Sequence, residues 1–168
     1  SAHVGSPLIE GCSFVDNHSG DDGGGFFCWN GAEPVVVSSI FVGNSGTTVR
    51  FLTAMLAACD GDFRLSGVPR MHERPIADLI TTLNDLGADV SSELNTGCPP
   101  VLINATGLAG GEATIRGDVS SQFLTALLLA LPLVSDRGAI TIDVDGELIS
   151  KPYVEITLAL LARFGIAV

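Results

Sequence analysis

The chain has 168 residues, a length typical of one domain and too short for two full-sized ones. Its 19 acidic and 8 basic residues give a net charge of −11, which disfavours nucleic acid and an anionic membrane surface as partners. Hydrophobic residues make up 46% of the chain, which disfavours disorder over its whole length. The longest apolar run is shorter than the ~18 residues that a membrane span needs. No basic stretch followed by an apolar core opens the sequence, so we expect no signal peptide and a cytoplasmic protein.

The four cysteines are scattered along the chain, at Cys12, Cys28, Cys59 and Cys98. Zinc sites take closely spaced ligands, and no C-x-x-C pair is present, so a metal site is disfavoured. The spacing favours buried free thiols over two disulfides. Neither a metal triad nor a Walker-type loop is present, and we expect no metal and no cofactor.

A short repeat opens the chain. Residues 7–17 and 34–44 share Pro, Phe, Val and Asn at matching positions, from Pro7 to Pro34 onward. Short β-branched or aromatic runs between Gly and Asn turns at this period resemble the rungs of a parallel β-helix, and two chance hairpins are the alternative. The pattern predicts a β-rich, β-helix-like segment over residues 1–42.

A second repeat with a longer period occupies residues 43–168. Its first copy has a helical stripe of apolar residues over 49–59, an Asp60-Gly61 turn and an alternating strand over 63–65. Pro75 suits the first position of a second helix, Gly87 supplies its left-handed C-terminal cap, and strands follow at 88–90 and 101–104.

The second copy repeats these elements. Phe51-Leu52-Thr53-Ala54 recurs as Phe123-Leu124-Thr125-Ala126, and Arg74-Pro75 recurs as Lys151-Pro152. The copy predicts helices over 121–131 and 152–164 with a strand over 139–144 between them. Two such units indicate an α/β domain in which helices pack on sheets.

Three polar segments stand at the predicted helix starts. In the first, residues 43–50, glycines allow close approach of a ligand to first-turn N–H groups, which attract anions, and Arg50 adds charge one turn later. An ordinary Ser or Asn N-cap is the alternative. The second, residues 68–75, concentrates arginine, which suits bidentate binding of phosphate or carboxylate; surface salt bridges are the alternative. His72 has no identifiable partner there, which favours a solvated or capping role.

The third segment, residues 117–123, places two hydroxyls and an amide at a helix start, as a neutral anion cradle or as a variant of a capping box. The matching helix start of the second copy, residues 147–153, adds Ser150, Lys151 and Tyr153. Four helix starts that carry groups able to bind phosphate indicate a small polyanionic ligand. An acidic protein can bind such a ligand where the local potential is positive.

Together, the strings GNSGTTVRFLTA, GVPRMHERPIADL, GDVSSQFLTALL and ELISKPYVEITL resemble the 5-enolpyruvylshikimate-3-phosphate (EPSP) synthase family, from about Phe41 to Val168. Family members have two domains of three βαβαββ units each, so the resemblance implies two such units here, preceded by a short β-rich segment. It also implies a transferase of the shikimate pathway, which makes aromatic amino acids. This 3-phosphoshikimate 1-carboxyvinyltransferase moves the enolpyruvyl group of phosphoenolpyruvate to shikimate 3-phosphate without a metal.

The resemblance also implies roles for individual residues. Phosphoenolpyruvate, or the inhibitor glyphosate, is expected at Gly46, Arg74 and Gln122. The residues expected to bind shikimate 3-phosphate are Ser120, Ser121, Gln122, Ser150 and Tyr153. Arg50 and Arg70 match positions that shape the site rather than touch substrate.

The chain departs from the family pattern in two places. The Lys-Ser motif and nearby Arg expected upstream of the glycine loop are replaced by the short repeat, and no segment of these 168 residues matches the family's C-terminal domain with its acid/base Lys and Asp. We therefore expect a partial EPSP synthase that binds shikimate 3-phosphate, is inactive alone and has a complementary C-terminal domain as a partner; no residue is assigned a catalytic role. The alternative is a β-helix-type surface or interaction protein with a non-catalytic α/β passenger.

Overall fold

The computed structural model of the chain describes residues 9–10, 36–137 and 140–168. The strands in these ranges are β1 (Ile9–Glu10), β2 (Val36–Phe41), β3 (Asp60–Ser66), β4 (Val90–Ser92), β5 (Val101–Thr106), β6 (Gly111–Arg116) and β7 (Ile140–Asp145). The helices are α1 (Gly46–Ala57), α2 (Ala77–Asp85), α3 (Ser121–Ala130) and α4 (Lys151–Arg163), with 3-10 segments at Pro69–Glu73 and Leu131–Arg137.

Together with β2, which precedes residue 43, the first copy of the long repeat forms a βαβαββ unit, β2-α1-β3-α2-β4-β5. Its sheet has the order β1-β2-β3-β5-β4, in which β2 pairs in parallel with β3, and β5 pairs antiparallel with both β3 and β4. A parallel β2–β3 pair needs a crossover connection, which α1 provides. The predicted α/β class is confirmed.

The second copy runs β6-α3-β7-α4, the first four elements of the same unit. Strands β6 and β7 pair in parallel in a separate two-stranded sheet, with Gly111 opposite Ile140 and Arg116 opposite Asp145. Strand β6 was not predicted, because its only buried apolar residues are Ala113 and Ile115. Two apolar residues are too few for a periodic signal.

Strand β1 pairs in parallel with β2, and its register places Ile9 opposite Val36 and Glu10 opposite Val37. This register has the same offset as the short repeat that relates Pro7 to Pro34. The remainder of the first copy lies outside the described residues, so the β-helix-like segment over 1–42 stays a prediction.

The core lies where α1 packs on α3 and on strands β3 and β5. Val49 and Ala54 of α1 face Phe123 and Leu127 of α3 in one cluster, and all four are 1% exposed or less. In β5, alternation buries Val101, Ile103 and Ala105, as expected of a strand with one face on the core.

Several predicted details need correction. Helix α2 begins at Ala77, not at Pro75, because Ile76 is non-helical, with φ −142° and ψ 2°, and its N–H donates to the Gly97 carbonyl. Asp60-Gly61 is not a turn but the start of β3, opposite residues 105–106 of β5. Gly87 has φ +91°, which confirms the left-handed cap.

The two cysteines that the structure describes, Cys59 and Cys98, form no disulfide, as predicted. Cys59 is exposed, so the expectation of a buried thiol is wrong there: the residue follows the end of α1 instead of continuing its buried stripe. Cys12 and Cys28 lie outside the described residues. None of the described helices is long and apolar enough to cross a bilayer.

Candidate functional site

The loops that leave β2 and β3 meet at one edge of the first sheet. The Val42 N–H donates to the Ser66 carbonyl at 2.8 Å, and the Val68 N–H donates to the Gly43 carbonyl at 3.0 Å. A Cβ at Gly67 would lie 2.2 Å from that Gly43 oxygen, so only glycine permits this contact. The glycine loop before α1 and the arginine-rich segment before α2 are therefore adjacent.

The second copy makes the same connection at the corresponding edge. Gly117 donates its N–H to the Asp145 carbonyl at 2.8 Å and accepts from the Ile149 N–H at 3.0 Å. A Cβ at Gly117 would lie 2.7 Å from Cγ1 of Val144. These bonds place the starts of α3 and α4 next to each other.

The start of α1 is built for close approach. Ser45 caps the helix, accepting from the Thr48 N–H at 3.3 Å, while the N–H groups before Thr48 lack intrahelical partners. The Arg74 side chain covers Gly46, since a Cβ at Gly46 would lie 2.9 Å from Nη1 of Arg74. The glycine at position 46 thus lets a guanidinium rest against the helix start.

Arg74 has few partners of its own. Its Nη2 donates to Oδ1 of Asn44 at 3.4 Å, and its Nε is buried without an acceptor among the described residues. Arg70, four residues earlier, is exposed and bonded to Glu73. Both alternatives for residues 68–75, anion binding and surface salt bridges, therefore have a candidate. Arg70 forms the surface salt bridge, and Arg74 forms no ion pair with the described residues.

Arg50 lies at the centre of the cluster. Its Nη1 donates to Oε1 of Gln122, its Nη2 donates to the Pro75 carbonyl at 3.1 Å, and its Cζ lies 4.9 Å from the centre of the Phe123 ring. Burial, and secondly the charge of Arg74, lower the pKa of the Arg50 guanidinium from its usual value.

Gln122 ties the start of α3 to that of α1. Besides accepting from Arg50, its Nε2 donates to Oγ1 of Thr47 at 2.9 Å. Its backbone N–H donates to the capping hydroxyl of Ser120 at 3.3 Å. The predicted residues Gly46, Arg74 and Gln122 are thus brought into one cluster.

The cluster concentrates unpaired positive charge. Three other arginines form ion pairs with carboxylates, Arg64 with Glu93, Arg70 with Glu73 and Arg116 with Asp118. Neither Arg50 nor Arg74 has a carboxylate partner within the described part of the chain. In a chain of net charge −11, two adjacent guanidinium groups without counter-ions create a local positive potential.

The remaining predicted residues lie at the neighbouring helix starts. Ser120 and Ser121 begin α3 and are half-buried. Ser150 precedes α4 in the left-handed conformation, with φ +55° and no capping bond, and Tyr153 is 68% exposed. Their roles in binding stay predictions.

His72 forms a hydrogen bond through Nε2 with the Ser66 hydroxyl at 3.2 Å, a partner that was not identified from the sequence. Within the described ranges, no group of three or more His, Cys, Asp or Glu residues is placed to hold a metal ion.

Thr47 and the Pro75 carbonyl, which complete the cluster together with Asn44, were not assigned a role from the sequence. A signal for the cross-helix bond was available in the repeat. Arg50 and Gln122 precede the matching residues Phe51 and Phe123, so the two bonded side chains occupy equivalent positions.

A protein-family model described as EPSP synthase (3-phosphoshikimate 1-carboxyvinyltransferase) matches residues 29–168. A 3-phosphoshikimate 1-carboxyvinyltransferase of Shewanella piezotolerans is 56% identical over 130 residues, which cover 77% of this chain and 30% of the relative. The Burkholderia orbicola protein of the same name is 55% identical over 140 residues, 82% of this chain and 32% of the relative. The chain thus spans about 30% of the length of these relatives.

Among solved structures, EPSP synthase from Acinetobacter baumannii superposes with a TM-score of 0.53 at 31% identity. The match covers 58% of this chain and 22% of that one. The shared fold therefore agrees with the match in sequence.

Proposed function

The chain belongs to the EPSP synthase family, and from this premise we propose that its clustered helix starts bind the two anionic substrates of a 3-phosphoshikimate 1-carboxyvinyltransferase. Phosphoenolpyruvate binds at Gly46, Arg74 and Gln122. Shikimate 3-phosphate binds at the residues that begin α3 and α4, which are Ser120, Ser121, Gln122, Ser150 and Tyr153.

One observation carries the proposal: Arg50 and Arg74 are adjacent, partly buried and without a carboxylate partner among the described residues. Leaving a charge partly desolvated and unpaired is unfavourable, and an anionic ligand that enters the cluster compensates that cost. An ordinary surface arginine in this chain, such as Arg70, instead forms an ion pair.

Arg74 supplies the directional part of phosphoenolpyruvate binding. A guanidinium presents a planar fork that matches the oxygens of phosphate or carboxylate in a bidentate manner. Because Arg74 lies against Gly46, an anion held by that fork also faces the first-turn N–H groups of α1, which favour negative charge.

Shikimate 3-phosphate requires donors for both a phosphate and hydroxyl groups. The serine hydroxyls at the start of α3 donate and accept, and the Gln122 amide reaches towards Thr47 of α1. Gln122 therefore stands between the two proposed substrate positions and contacts both.

We further propose that turnover requires more than this chain. The matched region is about 30% of each relative's length, and half of a binding cleft loses the charge stabilisation and positioning that drive a group transfer. The functional unit is then residues 43–168 together with a complementary domain. The alternative of a β-helix-type interaction protein is not favoured, because the family match covers most of the chain.

The test is calorimetric titration of phosphoenolpyruvate into the chain and into two variants. Arg74→Met removes the fork while preserving the length of the side chain, and we expect a loss of affinity of about tenfold or more, the worth of one charge-assisted contact. Arg64→Met is the matched control, because Arg64 pairs with Glu93 outside the cluster, and its affinity should equal that of the parent. Equal affinity of the parent and Arg74→Met would refute the assignment.

A further inference from the structure

We propose that Arg50 is a positioning residue, which orients the Gln122 amide and anchors the Pro75 carbonyl, one residue after Arg74, without itself contacting substrate. The inference rests on the proposed function, because it assigns how the same site is held in its binding geometry. It concerns the side chain that links the two copies of the repeat.

Both terminal nitrogens of Arg50 donate to groups of the protein. Nη1 bonds Gln122 and Nη2 bonds the Pro75 carbonyl, while the guanidinium plane rests over the Phe123 ring. The Nε atom is buried and has no acceptor among the described residues. A guanidinium fixed at both terminal nitrogens and covered by an aromatic ring is held in one orientation.

The Arg50 bond fixes the polarity of the Gln122 amide. Arginine offers donors only, so the amide must turn its oxygen towards Arg50 and its nitrogen away. The nitrogen then uses one hydrogen on Thr47 and keeps the other for a ligand. If the amide turned over, its oxygen would face the incoming anion and repel it.

The second bond acts on Arg74. Pro75 follows Arg74 directly, so the bond from Arg50 to the Pro75 carbonyl holds the backbone one peptide beyond Arg74. Arg74 in turn rests on Gly46 at the start of the helix that carries Arg50. One side chain therefore connects α1, α3 and the segment before α2, at the point where two like charges repel.

The experiment combines a double-mutant cycle with a spectroscopic readout. The variants are Arg50→Met, Arg50→Lys, Gln122→Ala and the double variant Arg50→Met/Gln122→Ala, with Arg64→Met as the control. Phosphoenolpyruvate affinity is measured for each, and ¹H–¹⁵N spectra of the unliganded proteins record the side-chain NH₂ resonances of Gln122. Urea denaturation of every variant separates a loss of binding from a loss of fold.

We expect Arg50→Met and Gln122→Ala each to weaken binding about tenfold, and the double variant to be little weaker than either, because the two side chains act as one unit. The Gln122 resonances should move in unliganded Arg50→Met and move less in Arg50→Lys, which keeps one donor.

Additive losses in the double variant, or unchanged Gln122 resonances in a folded Arg50→Met protein, would overturn the inference. The spectra of the unliganded protein make this failure distinct from that of the proposed function. If the parent binds no phosphoenolpyruvate, the proposed function fails, and the Gln122 resonances still decide whether Arg50 holds the amide.

Discussion

The two copies of the long repeat share one order of strands and helices. They differ in how deeply they bury their apolar residues and in which polar groups they contribute to the site. In both, the loop after the first strand bonds the end of the second strand, through Val42 and Ser66 in one copy and Gly117 and Asp145 in the other. The first copy has its β4–β5 hairpin, and its second helix is deeply buried: Leu79 and Leu83 of α2 are 0% exposed.

In the second copy, α4 buries Val154 and Leu161 but leaves Ile156 64% and Leu160 48% exposed. Beside it, Leu128, Leu131, Ile140 and Ile142 help to line an apolar groove of about 750 Å³. Leu124 and Leu127 of α3, in contrast, are buried. The comparison shows that the complete unit supplies most of the core.

The two copies also contribute different polar groups to the candidate site. The first provides the cations, Arg50 and Arg74, and the second provides neutral donors at Ser120, Ser121 and Gln122. The equivalent positions Arg50 and Gln122 bond to each other across the α1–α3 contact. Divergence of one repeated position has thus joined the two halves of the site.

The largest expected effect tests the difference in burial. Leu83→Ala should lower the free energy of unfolding by about 2–5 kcal/mol, because it opens a cavity at a fully buried position. Leu160→Ala, in the helix that corresponds to α2, should change it by no more than about 0.5 kcal/mol. Urea denaturation measures both, and equal losses would show that the two copies are equally packed.

A smaller effect tests the contact at the start of α1. In Gly46→Ala the new Cβ would meet Nη1 of Arg74 at 2.9 Å, so the guanidinium must move. We expect phosphoenolpyruvate affinity to fall about tenfold while the urea midpoint holds, since alanine favours the helix. An unchanged affinity would mean that the position of Arg74 over Gly46 is irrelevant to binding.

The first helix of each copy has a serine N-cap, so the same substitution can be made in both copies. Ser45→Ala and Ser120→Ala each remove a side-chain acceptor from a backbone N–H, and each should cost about 1 kcal/mol of unfolding free energy. The Gly variants at the same positions should cost only a few tenths. A cost confined to one copy would show that the other helix start is held by different contacts.

The smallest effect concerns a surface ion pair of the first copy. The hydrogen bond from Arg64 lowers the pKa of Glu93, so the pair stabilises the fold above the unfolded-state pKa and ceases to do so as pH falls through the folded-state pKa. Glu93→Gln should therefore lower the urea midpoint slightly at neutral pH and not in acid. A difference that persists in acid would assign the effect to packing.

Much of the fold follows from local patterns in the sequence. The apolar stripe of α2, the glycine cap at Gly87 and the alternation in β5 each specify their element without tertiary information. Strand β6 was not predicted, because its pairing with β7, rather than its own apolar content, makes it a strand. The start of α2 shifted because a long-range bond from Ile76 to Gly97 outweighs the local preference of Pro75.

The candidate site was predictable as a set of helix starts but not as a geometry. Residue types at Gly46, Arg74 and Gln122 pointed to anion binding, and their convergence depends on the packing of α1 on α3, far apart in sequence. The role of Thr47 follows only from that packing, since a threonine at a helix start is ordinarily a local group.

The most direct test of the site is the titration of shikimate 3-phosphate into the ¹⁵N-labelled chain, with Ser121→Ala and Arg64→Met measured alongside. We expect saturable shifts of the backbone amides at the starts of α1 and α3, residues 46–48 and 120–122, which Ser121→Ala abolishes and Arg64→Met preserves. A folded chain whose amides do not respond, or whose response survives Ser121→Ala unchanged, would contradict it.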